Sequence, residues 1–111
     1  MNCQELADRI QQRQPDASCD EVARLCLLLI HATDDVDRLA DDKYLKELIG
    51  DANIRFQMAT DQHAAMTSEL KELAQSDPTA FHAEQVWVLI RAIKVQSQII
   101  EMYMNEPALD V

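Results

Sequence analysis

Apolar residues recur along this chain at intervals of three and four positions, which is the spacing of one face of an α-helix. No Asn-Gly or Asp-Gly pair marks a β-hairpin turn, and apolar residues do not recur at intervals of two. The sequence therefore predicts an all-α protein, an up-down helical bundle of three long helices plus a short N-terminal helix. A chain of 111 residues supports one hydrophobic core, so we expect a single helical-bundle domain over residues 1–111.

Start and stop signals divide the pattern into four predicted helices. These cover about residues 2–13, 19–49, 52–75 and 78–105. Ser18, followed three residues later by Glu21, has the form of a capping box that should start the second helix. Gly50 should end that helix as a C′ residue. Asp77 should cap the last helix, with Pro78 at its first position.

The second predicted helix carries one apolar stripe without a break in phase. Its members are Val22, Leu25, Cys26, Leu29, Ala32, Val36, Ala40 and Tyr44. One continuous helix over 19–49 is the favoured interpretation. The alternative is a kink or break near 33–35, because Thr33, Asp34 and Asp35 are residues that can cap a new helix.

The C-terminal predicted helix has more apolar surface than one bundle core requires. Its first apolar face carries Val86, Leu89, Ile90, Ile93, Ile100 and Met104. Its second apolar face carries Phe81, Val88, Ala92, Val95, Ile99 and Tyr103. Together the two faces span about 220° of the helix, well beyond the roughly 100° that a surface helix buries.

Two arrangements would cover such a helix. It is either the central element of the monomer, or its second face is exposed in the monomer and buried by a twin subunit or a partner helix. We favour the second arrangement and predict an interface of Phe81, Trp87, Val88, Ala92, Val95, Ile99 and Tyr103. Trp87 projects onto the polar side, where it either packs on Arg91 through a cation–π contact or anchors a partner.

Charge and cysteine content narrow the range of partners and locations. Twenty acidic against ten basic residues give a formal net charge of −10, which opposes binding to nucleic acid and to anionic membranes. The N-terminal residues do not resemble a signal peptide, and no apolar run is long enough to span a bilayer. Three cysteines, an odd number, do not suggest a disulfide framework, so we expect a cytoplasmic protein.

The histidines and aspartates are the residues that could bind a metal. His31 has Asp34 and Asp35 three and four residues on, but neither Glu-x-x-His nor His-x-x-x-His occurs in the sequence. His63 falls in the apolar face of the third predicted helix and should be buried and neutral. The aspartates between 34 and 42 lack the glycine and glutamate of a calcium loop and should form a solvated face.

These observations predict a non-enzymatic protein–protein interaction module that self-associates through its C-terminal helix. The partner would be a second copy, giving a homodimer, or another helical protein; we expect no cofactor, no metal, no nucleic acid and no membrane partner. The alternative is a metal-binding or histidine-phosphotransfer-like bundle that uses His63 with His31 or His82. A third hypothesis is an acidic protein that mimics nucleic acid.

Overall fold

The computed structural model describes residues 1–80 and 82–104, which contain four α-helices, one 3₁₀ helix and no strand. The helices are α1 (Cys3–Arg13), α2 (Cys19–Ala32), the 3₁₀ helix (Val36–Ala40), α3 (Asp42–Ala74) and α4 (Ala83–Met104). The predicted all-α class is confirmed. Within these residues, none of the helices combines the length and hydrophobicity that a bilayer span requires.

The chain divides into two compact units, residues 1–55 and residues 56–111. The first unit contains α1, α2, the 3₁₀ helix and the beginning of α3, and the second contains the rest of α3 together with α4. Whether the two units behave as the single domain expected from the chain length stays a prediction.

The first unit has a hydrophobic core to which each of its helices contributes. The buried side chains are Leu6, Ile10, Val22, Leu25, Leu28, Leu29, Leu39, Leu45, Ile49 and Ala52. Within α1, α2 and α3 these residues recur mainly at intervals of three and four, so each α-helix turns one face inward. In the described part of the chain, no buried side-chain nitrogen or oxygen lacks a hydrogen-bond partner.

Both short helices of the first unit begin at capping residues. The Asn2 side chain accepts a hydrogen bond from the Glu5 backbone N–H (2.8 Å), and the Glu5 carboxylate accepts one from the Asn2 backbone N–H (3.4 Å). Ser18 Oγ accepts from the Glu21 backbone N–H (3.2 Å), as its spacing predicts. Each cap accepts a hydrogen bond from a backbone N–H that the first turn of a helix leaves unpaired. A cap of this kind stabilises the folded protein by about 1 kcal/mol.

The prediction of one continuous helix over 19–49 is wrong, because α2 ends at Ala32 and a 3₁₀ helix follows. Thr33 has an extended backbone, and its hydroxyl accepts a hydrogen bond from the Asp35 backbone N–H (3.2 Å). The same hydroxyl lies 2.9 Å from the Tyr44 hydroxyl on α3. The alternative prediction, a break near 33–35, is therefore confirmed. Side-chain hydrogen bonds such as those of Thr33 compete with the backbone hydrogen bonds that would continue the helix.

The predicted helix end at Gly50 is also wrong, because Gly50 lies inside α3. Leu45, Ile49 and Ala52 on either side of it are buried in the core of the first unit. A glycine inside a helix costs about 1 kcal/mol relative to alanine, which is less than the gain from burying two large apolar side chains. Core packing therefore outweighs the local preference for a helix end.

Helix α4 begins at Ala83, so the predicted start at Pro78 is wrong. The Asp77 carboxylate accepts hydrogen bonds from the Thr79 backbone N–H (2.9 Å) and the Thr79 hydroxyl (2.7 Å). These two bonds hold the pKa of Asp77 below its ordinary value. The carboxylate that was expected to cap the helix thus closes a separate turn. The predicted helix end at residue 105 lies outside the described residues.

Replacing Gly50 with alanine should stabilise the protein by about 1 kcal/mol, because an interior helical glycine costs about that much. A β-carbon at this position meets no heavy atom within 4 Å, so no clash opposes the gain. Urea denaturation followed by far-UV circular dichroism measures the free energy of unfolding. Lys46→Ala, at another exposed position of α3, is the control and should have a much smaller effect. Destabilisation by Gly50→Ala would contradict a helix that continues through this residue.

Candidate protein-binding surface

The second unit contains a helical hairpin formed by α4 and the part of α3 that follows residue 55. Near one end, Arg91 Nη2 on α4 lies 3.0 Å from Glu69 Oε2 on α3. Near the other end, Tyr103 of α4 lines a cleft together with Phe56 of α3. Since later residues of α4 lie beside earlier residues of α3, the two helices run antiparallel.

One apolar face of α4 is turned toward α3 and forms the inside of the hairpin. The half-buried residues of this inner face are Val88, Ala92, Val95, Ile99 and Tyr103. They share clefts with apolar residues of α3: Val88 with Leu73, and the other four with Phe56, Ala59 or Met66. The inner face contains the described residues of the second apolar face of the sequence pattern, and the expectation that these residues are exposed in the monomer is wrong.

Five of the six residues of the first apolar face of α4, which was expected to fill a bundle core, are exposed instead, and the sixth, Ile90, is half-buried. Val86, Leu89, Ile93, Ile100 and Met104 each keep between 38% and 64% of their surface accessible, and we call these five residues the open face. Helix α4 has no buried residue at all. The inner face thus packs on α3 and the open face is accessible to solvent, which is the reverse of what periodicity suggested.

A groove between the two helices continues the open face onto α3. It encloses about 700 Å³, and Leu89, Ile93 and Ile100 of α4 line it. From α3, Leu70 contributes a side chain that is 37% exposed. His63 is the one titratable residue among the described residues that line this groove. The surface is consequently apolar and uncharged over most of its extent, which is typical of the centre of a protein–protein interface.

The described residues of the predicted interface have two different environments. Phe81 lies outside the described residues. Trp87 keeps 57% of its surface accessible, and Arg91, its expected cation–π partner, forms an ion pair with Glu69. The remaining five form the inner face, and whether a partner also contacts them stays a prediction.

The histidines do not occupy the environments expected from the sequence. His63 is exposed, so the prediction that it is buried in an apolar face is wrong. His31 is half-buried near the end of α2, and because the helix stops at Ala32, Asp34 and Asp35 do not extend its face. Among the residues that the structure describes, no group of three or more His, Cys, Asp or Glu side chains could hold a metal ion.

The aspartate-rich segment lies at the surface, as predicted. Its exposed members are Asp34, Asp35, Asp37, Asp41 and Asp42. Asp42 forms ion pairs with Arg9 and Arg13 of α1, and Asp34 lies 3.8 Å from Arg38. His82 is exposed as well. The aspartates are solvated or paired with nearby cations, which for Asp37 is the N-terminal ammonium of Met1 (3.0 Å), as in an ordinary protein surface.

The three cysteines are free and differ in accessibility. Cys3 and Cys19 are exposed at the first residues of α1 and α2, whereas Cys26 is half-buried. Burial raises the pKa of the Cys26 thiol, and the Cys3 thiol raises it further. Because the thiolate is the nucleophilic form, Cys26 should be the least reactive of the three.

No protein-family model, no curated protein and no solved structure matches this chain. The role of the surface is therefore inferred from its geometry and chemistry.

Alkylation with iodoacetamide at neutral pH should modify Cys3 and Cys19 before Cys26, because Cys26 is shielded and its pKa is raised. Mass spectrometry of the modified peptides at successive times gives the three rates. In urea the rates should converge, which controls for intrinsic differences between the peptides. Faster modification of Cys26 than of Cys3 in the folded protein would be incompatible with this arrangement.

Ile99 and Ile100 are neighbours in sequence but lie on different faces of α4, so they form a matched pair for a second test. Ile99→Asp places a charge between the two helices and should loosen the hairpin, whereas Ile100→Asp places it at an accessible position. Hydrogen exchange of α4 amides, measured at a dilution where light scattering shows monomers, should be faster in Ile99→Asp only. Equal loss of protection in both variants would contradict the assignment of the two faces.

Proposed function

We propose that this protein is a non-enzymatic protein–protein interaction module that self-associates through its C-terminal helix, α4. The observation that carries the proposal is the open face, on which five large apolar side chains of one helix are exposed side by side. The contact surface proposed here is thus the open face and the groove beside it, rather than the inner face that packs on α3.

Hydrophobic burial supplies the driving force for this association. Covering the exposed part of each open-face side chain is worth about 1 kcal/mol, so one face contributes about 5 kcal/mol. Association costs about 4 kcal/mol or more in lost translational and rotational freedom. Two open faces that cover each other bury twice the apolar surface that one face buries against a polar partner. This larger buried apolar area favours a second copy of the chain as the partner that covers the open face.

The distribution of charge on α4 is compatible with this self-association. The whole chain carries a formal net charge of −10, which makes two copies repel each other at long range. Helix α4 itself has a formal net charge of zero, because Glu84 and Glu101 are matched by Arg91 and Lys94. None of these four charges belongs to the open face. The contact can therefore form without burying a charged side chain.

We also propose that the module works in the cytoplasm. The three free cysteines support a reducing compartment, because thiols in secreted proteins are usually paired as disulfides. The alternative partner is another helical protein, and the mass of the purified chain in solution decides between the two.

Size-exclusion chromatography with light scattering at micromolar concentration should give twice the monomer mass of 12.6 kDa. Ile93→Asp should shift the protein to a monomer, because a charge in the middle of the open face opposes its burial. Gln98→Asp adds the same charge on the polar side of α4 and should leave the dimer intact. Circular dichroism verifies that both variants remain helical.

Two results would contradict the proposal. One is a wild-type chain that stays monomeric up to its solubility limit while α4 is fully helical. The other is loss of the dimer in Gln98→Asp as well as in Ile93→Asp, since the effect would then come from added charge rather than from the open face.

A further inference from the structure

The open face of α4 follows a heptad pattern. Val86, Ile93 and Ile100 recur every seven residues and correspond to the a positions of a coiled coil. The d positions carry Leu89, the polar Gln96 and Tyr103. All charged residues of α4 fall at b and f, on the side away from a and d: Glu84, Arg91, Lys94 and Glu101. The e and g positions, which flank the contact in a coiled coil, carry no charge in this helix.

The hairpin leaves this heptad face accessible. Four of the five inner-face residues of α4 are at c and g positions, with Val88 and Val95 at c and Ala92 and Ile99 at g. The fifth, Tyr103, is at the last d position and shares a cleft with α3. The a positions lie on another side of the helix and are between 43% and 53% exposed. A second helix can therefore lie along the a positions and along Leu89 and Gln96 at d without displacing α3.

We infer that two copies of this chain pair through α4 as a parallel, in-register, two-stranded coiled coil. In this arrangement Val86, Ile93 and Ile100 of one copy face the same residues of the other copy. The inference rests on the proposed self-association and adds the orientation and register of the two helices.

The residue types at the contact favour the parallel orientation. β-Branched residues at a with leucine at d are typical of parallel two-stranded coiled coils. Val86, Ile93 and Ile100 are all β-branched. In the parallel register Leu89 faces Leu89 and the polar Gln96 faces Gln96. An antiparallel pair centred on Ile93 instead places Leu89 opposite the polar Ser97.

The available area is adequate for such a contact. The open face and Leu70 leave about 500 Å² of apolar surface accessible on each copy, against about 800 Å² of total surface per partner in a standard interface. Polar atoms around the rim supply the remainder in ordinary interfaces. The open face is thus as large as the largest apolar patch on a typical monomer, and patches of that size often have a binding role.

Charge-exchange variants at Val86 test the orientation in the full chain. Val86→Glu and Val86→Lys each place two like charges opposite one another in the parallel register, so each variant alone should be monomeric. An equimolar mixture should form a heterodimer with a dissociation constant at least about tenfold lower than that of either variant alone, because opposite charges then face each other. Native mass spectrometry distinguishes the heterodimer from both homodimers.

A second mixture tests the opposite orientation. Val86→Glu with Ile100→Lys should not associate in the parallel register, whereas it should associate if the helices are antiparallel about Ile93. Association of this mixture, or failure of the Val86 mixture while the wild-type chain is a dimer, would overturn the parallel register and leave the proposed self-association standing. A monomeric wild-type chain would instead overturn the proposed function.

The same pair of charge substitutions at Ile100 is an independent test of the register. Ile100→Glu mixed with Ile100→Lys should also form a heterodimer, and circular dichroism should show that each variant keeps the helix content of the wild-type chain. If the Ile100 mixture fails where the Val86 mixture succeeds, the two helices are not in register along the whole of α4.

Discussion

A helix that packs against one neighbour can cover only the flank that faces that neighbour, and α4 has apolar residues beyond that flank. Its inner face packs on α3, while the open face has no described neighbour to cover it. Water is a poor solvent for such a surface, so association that covers it is favourable. The proposed function follows from this excess of apolar surface on one helix.

The first unit also consists of helices with apolar faces, but it buries those faces against its own helices. All ten buried apolar residues of the described chain lie in residues 1–55. The break after Ala32 makes this possible, because α2, the 3₁₀ helix and α3 become separate segments that each turn a face inward. The described part of the second unit contains two helices, and two helices cannot enclose a core between them.

Several local features could be predicted from the sequence because they depend on neighbouring residues. The helical class, the cap at Ser18 and the exposed aspartates between 34 and 42 are of this kind. Gly50 and Pro78 gave wrong helix boundaries. At Gly50 core packing outweighed the local preference, and near Pro78 the carboxylate of Asp77 closed its own turn. Periodicity also predicted two apolar faces on α4 but assigned them to the wrong environments.

The sequence by itself determined that the chain is helical, where most helices lie and that α4 has apolar residues on two sides, because each of these depends on spacing along the chain. The tertiary structure alone decided which of those sides packs on α3. Both faces are similar in hydrophobicity, so no local preference distinguishes them, and the choice depends on which side chains α3 presents to α4. The exposure of His63 and of the open face follows from that choice.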